Sequence, residues 1–264
     1  MKDLAAALSD IYSGFTNREM WARMAWTDVR MRYKRTVLGP FWATLNMAIF
    51  IVALGLVFSH LWKMELADYL PYLCSGFLVW NPITAIITES GSVFVAASGT
   101  LLQIKVPYST FIFATIYRNF IIFLHHAVVY IGVIIVYPVP VNMNTLLVIP
   151  GLLFIGVNSF WVGSVVGMTC ARYRDIQPLL TNILQIVIFL TPIFWTPDML
   201  RGRGRLALVD MNPFFHFIDI VRSPLLGKAP ALLSWYVVSG FTVVGLLVAV
   251  YCFKTYRKKL CYWL

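Results

Sequence analysis

The 264-residue chain is 60% hydrophobic and 12% charged, with mean hydropathy +0.78 and a formal charge of +10. Soluble domains carry about 25% charged residues, so a soluble catalytic domain is excluded and nearly all the length is available for membrane spans. The basic excess flanks apolar stretches, where anionic lipid headgroups, not nucleic acid, are the expected partner.

Met1 to Phe15 hold no apolar signal-peptide core, so no cleavable leader is expected. Asn17 to Arg35 reads as an amphipathic helix in the membrane interface. At about 100° per residue, Met20, Met24 and Met31 share a side with Trp21, and Glu19, Arg23 and Arg30 share another. Asp28 intrudes on the apolar side and Trp26 on the polar side. Gly39-Pro40 marks the bend into the first span.

Six spans are predicted, at 41–62, 69–97, 108–137, 146–170, 177–195 and 232–253. Each is read as a helix, because only internally hydrogen-bonded backbone survives in hydrocarbon. Pro71 and Pro82 interrupt the second, which carries Glu89; the third carries Arg118 and His125-His126. Between the fifth and sixth, 196–231 is too long for a simple loop and too broken for a span. There Asn212-Pro213 reads as an N-cap and first helical residue, opening a short apolar helix that ends near Pro224. A re-entrant helix and an interfacial loop both fit it.

Orientation follows the basic flanks. Lys2, Arg18, Arg23, Arg30, Arg32, Lys34, Arg35, Lys105, Arg172, Arg174, Lys254, Arg257, Lys258 and Lys259 fall on one side. The smaller set of Lys63, Arg201, Arg203, Arg205, Arg222 and Lys228 falls on the other. Both termini are therefore expected in the cytoplasm. The fold expected is an all-α membrane protein organised as one transmembrane domain over 1–264. It comprises a tail and interfacial helix (1–38), spans one to five (39–195), a gate segment (196–231), and span six with a basic tail (232–264). Cys74, Cys170, Cys252 and Cys261 lack metal-like spacing and are expected as free thiols.

Candidate chemistry is sparse. A membrane enzyme needs grouped nucleophiles, carboxylates or metal ligands, and the spans do not supply them. His125 and His126 point about 100° apart on a helix and cannot form one metal face. No G-x-x-x-x-G-K-[ST] loop occurs, so no cofactor or metal is expected here, and ATP and Mg would be bound by a separate chain. Charge within a span is costly and faces protein or water; Arg118 is therefore expected to pair with Glu89 or to meet an anionic substrate group. Trp80, Trp161, Phe194, Trp195, Phe214 and Phe215 could line a conduit or gate for sugar rings, or form lipid-facing belts. The stripe Arg30, Arg32, Tyr33, Lys34 and Arg35 lies at headgroup depth and suits phosphate. The short polar turns holding Gln103 and Lys105, and Arg172, Arg174 and Asp175, suit docking to a motor subunit or simple anchoring at headgroups.

Three segments resemble ABC-2 type polysaccharide export permeases: Asp28 to Trp42, Arg172 to Ile176 with Thr191 to Trp195, and Asn212 to His216 with Arg222 to Gly227. Asn119 to His125 is similar to the lipopolysaccharide O-antigen subgroup. The resemblance implies a multi-pass homodimer in the bacterial inner membrane, with two copies of a cytoplasmic ABC ATPase. It also implies export of a glycan carried on undecaprenyl diphosphate, with 98–105 as the turn that meets the ATPase. Capsular polysaccharide and teichoic acid are alternative cargoes, and a non-ABC lipid-linked oligosaccharide flippase is an alternative class.

Overall fold

The structure is a computed structural model and describes residues 2–200 and 209–264. Arg201, Arg203 and Arg205, used above for orientation, lie outside the described residues. Within them the chain is helical, with no strand. Two helices precede the first long one: α1 (Lys2–Thr16) and α2 (Arg18–Arg32). Then follow α3 (Phe41–Trp62), α4 (Leu66–Ser90), the single turns α5 (Val93–Ala96) and α6 (Ser98–Leu101), and α7 (Tyr108–Val136). The rest of the chain forms α8 (Val148–Arg172), α9 (Ile176–Leu190), α10 (Pro213–Leu225) and α11 (Leu232–Trp263).

Five helices are long and apolar enough to cross a membrane: α3, α4, α7, α8 with the 3-10 turn before it, and α11. The protein is thus multi-pass. The predicted fifth span is shorter than expected, because α9 stops at Leu190. Its 15 residues rise only about 22 Å, less than a hydrocarbon core of about 30 Å. Pro192 is the cause: it disfavours helical backbone in the residue before it, and Thr191 is extended at φ −92°, ψ 132°.

The second span also differs from expectation. Pro71 and Pro82 do not interrupt α4, which is continuous from Leu66 to Ser90 and stops before the predicted 97. Burial explains the tolerance. Of its most apolar window 61% is buried, against 17% to 33% for the other four long helices. Tertiary packing therefore holds what an interior proline would break in isolation. Helix α4 is the centre of the bundle, with α3, α7, α8, α9 and α10 around it. Tyr69, Leu73, Cys74, Phe77 and Val79 fill its core face.

Residues 2–16, predicted as tail, instead form α1, which packs on α7 and α11. The bend before α3 uses Gly39 at φ +57°, a left-handed conformation that glycine adopts freely. In the 196–231 segment the expected cap is present: Asn212 Oδ1 accepts the Phe214 N–H at 3.0 Å, with Pro213 in the first helical position. Helix α10 lies inside the bundle, with Ile218, Ile220 and Val221 fully buried. It ends at Gly227, whose φ is +74° and whose missing Cβ would meet the Pro140 carbonyl. All four cysteines are free thiols.

Gly227 is thus barred from side chains by both conformation and space. Gly227→Ala should destabilise the chain by about 1–3 kcal/mol, read as a lower thermal midpoint in detergent. Gly240→Ala, which meets open space, should not lower it.

Candidate functional site

At the end of the bundle that carries both termini, α2 docks on α7. Met31, on the predicted methionine side, is 61% exposed, and the face of α2 that packs on α7 is a different one. It consists of Ala25 and Val29, both buried, with Trp21 edge-on to Tyr117 at 5.1 Å. Small residues allow close approach, and that brings Asp28 and Arg32 onto α7 and α4. Arg118 Nη1 donates to Asp28 Oδ2 at 2.6 Å, and its Nη2 to Glu89 Oε2 at 2.8 Å. Glu89 also accepts from Asn119 Nδ2 at 2.7 Å and from Arg32 Nη2 at 2.9 Å. Two cations and two anions so form a neutral quartet, which makes burial of Arg118 affordable only as a set. Burial opposes the charge on Arg32, but the Glu89 carboxylate outweighs it and makes the guanidinium more basic than usual.

Sequence reasoning named Glu89, Arg118 and Arg32 but missed Asp28 and Asn119 as partners. The signal was present, since Asp28 broke the amphipathic pattern of its helix. The basic stripe is split. Arg32 turns inward to Glu89, whereas Arg30, Lys34 and Arg35 are exposed, with no ion pair among the described residues. Tyr33 is half-buried and its carbonyl accepts from the Thr36 N–H and hydroxyl.

At the opposite end lies the non-helical piece 191–195. Its carbonyls are taken up by side chains. Pro192 O accepts from Arg222 Nη1 at 2.6 Å and from Tyr72 Oη at 3.0 Å. Phe194 O accepts from Tyr69 Oη at 2.7 Å and Trp62 Nε1 at 3.2 Å, and Trp195 O from Tyr72 Oη at 3.0 Å. The Arg222 guanidinium also lies over the Tyr72 ring at 4.3 Å. On α10, Asp219 accepts from Ser223 Oγ at 2.6 Å, Ser234 Oγ at 2.7 Å and the Ala231 N–H at 3.2 Å, tying α10 to the start of α11.

The six aromatic candidates separate. Phe194 is buried among Phe58, Phe77 and Phe189. Trp195 donates from its indole to Phe189 O at 3.0 Å. Trp161 and Phe214 line an apolar cavity of about 280 Å³ between α4, α8 and α10. Phe215 is half-buried, against His216. Trp80 touches Phe214 at 5.6 Å and also lines an open groove of about 430 Å³ between α4 and α9. That groove carries Thr84, Thr88, Thr181 and Gln185 with Phe189. The polar members recur at helical spacing on one face of each helix, and neither Gln185 nor Phe189 was singled out from sequence.

The chain matches the ABC-2 type transporter family over residues 20–226. It belongs to that family. Two O-antigen export system permease proteins, both called RfbA and both from Klebsiella pneumoniae, are each 22% identical over 227 residues. The match covers 84% of this chain and 87% of each relative. An ABC-2 permease is the membrane subunit of a transporter.

In this ABC-2 permease the turns considered for docking lie at the end with both termini. Gln103 and Lys105 are exposed, as are Leu102 and Ile104 beside them, two apolar residues that sequence reading passed over. The turn is backed by Asp10 of α1, which is 3% exposed. Asp10 accepts the Ser109 N–H at 3.1 Å and the Tyr108 N–H at 3.3 Å, capping α7 from another helix. Arg257 of α11 completes the contact at 2.8 Å. Lys258, 2.6 Å from Asp3, holds that carboxyl below its usual range. Arg172 lies over the rings of Tyr173 and Trp263 at 5.0 and 5.4 Å, while Arg174 and Asp175 are exposed.

The quartet makes an energetic prediction. Glu89→Ala leaves Arg118 under-compensated and should cost about 2–4 kcal/mol. Adding Arg118→Met should recover part of that loss, with a coupling of about 1–3 kcal/mol in a double-mutant cycle read by thermal unfolding. Additive losses would dissolve the quartet as an energetic unit.

Proposed function

We propose that the chain is the conduit-forming permease of an ATP-driven exporter carrying undecaprenyl-diphosphate-linked O-antigen polysaccharide across the bacterial inner membrane. In this reading two copies enclose the passage. Each crosses six times, with α9 and the 191–195 piece together making the fifth crossing and both termini in the cytoplasm. Two ABC ATPase subunits bind ATP and Mg and dock on the exposed turns at 98–105 and 172–175. The exposed cations Arg30, Lys34 and Arg35 receive the lipid diphosphate, as arginine and lysine do elsewhere.

One observation carries the reading: threonine, glutamine and aromatic side chains share the open groove between α4 and α9. Polar groups facing hydrocarbon are costly. A hydrated glycan would satisfy the Gln185 amide and give Phe189, which is exposed, a sugar C–H face to pack on. Stacking of this kind tolerates sliding, which a long polymer needs. The similarity to two Klebsiella O-antigen export system permease proteins supports the same cargo class.

The test uses the full chain purified from its own cells. An ABC ATPase should co-purify, and Leu102→Glu with Ile104→Glu should abolish that association while the chain remains folded. Phe189→Ala with Gln185→Leu should cut surface glycan by about tenfold, the loss of roughly 1.4 kcal/mol, with the ATPase still bound. Normal surface glycan in cells lacking the chain would overturn the function.

A further inference from the structure

Hydrogen bonds hold the exposed turn between α6 and α7 at its two ends. At one end Leu102, Gln103 and Ile104 donate back to the carbonyls of Ser98 and Thr100. Lys105 and Val106 make no backbone hydrogen bond among the described residues. At the other end stands Pro107, in the cap position of α7 but with no side-chain acceptor for the free N–H groups there. Asp10 of α1 supplies that acceptor from outside the helix, at the Tyr108 and Ser109 N–H groups.

The surroundings of this cap fix it from several directions. The Asp10 side chain is fully buried, and Ser109 Oγ donates back to the Asp10 carbonyl at 2.7 Å. Gly14, one turn along α1, lets the two helices meet, since a Cβ there would strike Ser109 Oγ and the Thr110 nitrogen. Arg257 of α11 balances the carboxylate at 2.8 Å, with its own side chain 34% exposed. A second tie, Lys258 to Asp3, joins the same two helices without touching the turn. One carboxylate therefore fastens the turn, α1 and α11 to the start of α7.

A stretch without bonds of its own pivots under load unless both of its ends are fixed. Without Asp10, a push on residues 102–105 would rotate the 105–107 stretch and fray the first turn of α7, whose N–H groups would be left without acceptors. With it, the same push moves α7 as a body. We infer that Asp10 is the positioning residue that couples the docking turn to α7, so that nucleotide-driven movement of the motor becomes movement of the bundle. The inference rests on the export reading above and deepens it. Docking and coupling become separate properties, the first carried by exposed Leu102 and Ile104 and the second by a buried carboxylate of the N-terminal helix.

The experiment uses the full chain with its co-purifying ATPase in inverted membrane vesicles. The cells' own lipid-linked glycan is radiolabelled from glucose, and export is scored as label that an added glycosidase mixture cannot reach. The quantity read is glycan enclosed per phosphate released. Asp10→Ala should lower that ratio about tenfold, while the ATPase stays bound and ATP hydrolysis continues. Gly14→Val, which keeps the carboxylate but lifts α1 off Ser109, should lower it similarly. Asp3→Asn, which breaks the exposed tie alone, should leave it unchanged. A merely structural loss would lower glycan and phosphate together, and the ratio would hold. Amide exchange of the full chain in nanodiscs, which needs neither ATP nor glycan, gives a second readout. There Asp10→Ala should speed exchange at Tyr108 and Ser109 about tenfold. An unaltered ratio in both Asp10→Ala and Gly14→Val, or unaltered exchange in Asp10→Ala, would overturn the inference. A wild-type complex that encloses no glycan fails the export reading instead, and the exchange readout still decides whether Asp10 fixes the turn.

Discussion

In hydrocarbon there is no water to accept or donate, so a break in a helix survives only where side chains take over its hydrogen bonds. The break after Leu190 is the point on which the far end of this bundle depends. Tyr69, Tyr72, Trp62 and Arg222 supply donors to the carbonyls of Pro192, Phe194 and Trp195. Asn212 closes the end of α9 from the other side, donating to Leu190 O at 3.3 Å and Thr191 Oγ1 at 3.0 Å. These donors come from α3, α4 and α10, so the break locks three helices to a fourth. An unbroken helix would need none of those tyrosines and would leave α10 without its anchor.

The same accounting governs charge. Arg118 and Arg222 are the costly cations, and they are handled differently. Arg118 is paid for by two carboxylates near the end with the termini. Arg222, 3% exposed, relies on a carbonyl and the face of Tyr72. Because the first arrangement is neutral overall, the surplus positive charge is left on exposed residues of the turn between α2 and α3. A cationic surface is therefore a by-product of how the interior is balanced.

Features set by local chemistry were legible in the sequence. The long apolar runs marked the membrane helices, Gly39-Pro40 marked the bend, and Asn212-Pro213 marked the start of α10. Features set by distant contact were not. Asp10 looks like an ordinary tail residue until α1 folds against α7 and its carboxylate meets free N–H groups there. Pro71 reads as a break because its burial inside the bundle cannot be seen from its neighbours. The methionine side of α2 was legible as a helical face, but the face that packs on α7, with Ala25 and Val29, was not, since it depends on close approach of the two helices. Glu89 and Arg118 could be matched as opposite charges in adjacent spans, but the full quartet required knowing that α2 lies alongside both.

Helix α7 joins the parts that function would use. Its first turn is capped by Asp10, directly after the exposed 102–107 turn, so a force on that turn enters the helix through a fixed point rather than a loose loop. Its middle carries Arg118, where a shift would strain bonds to α2 and α4 together. Its outer half packs on α3 and, through Tyr130 Oη to Leu225 O at 2.6 Å, holds the end of α10. In the export reading, work done on the turn by a nucleotide-driven partner therefore reaches the quartet and α10 along one rigid element. A helix of 29 residues spans that distance without any relay of loops.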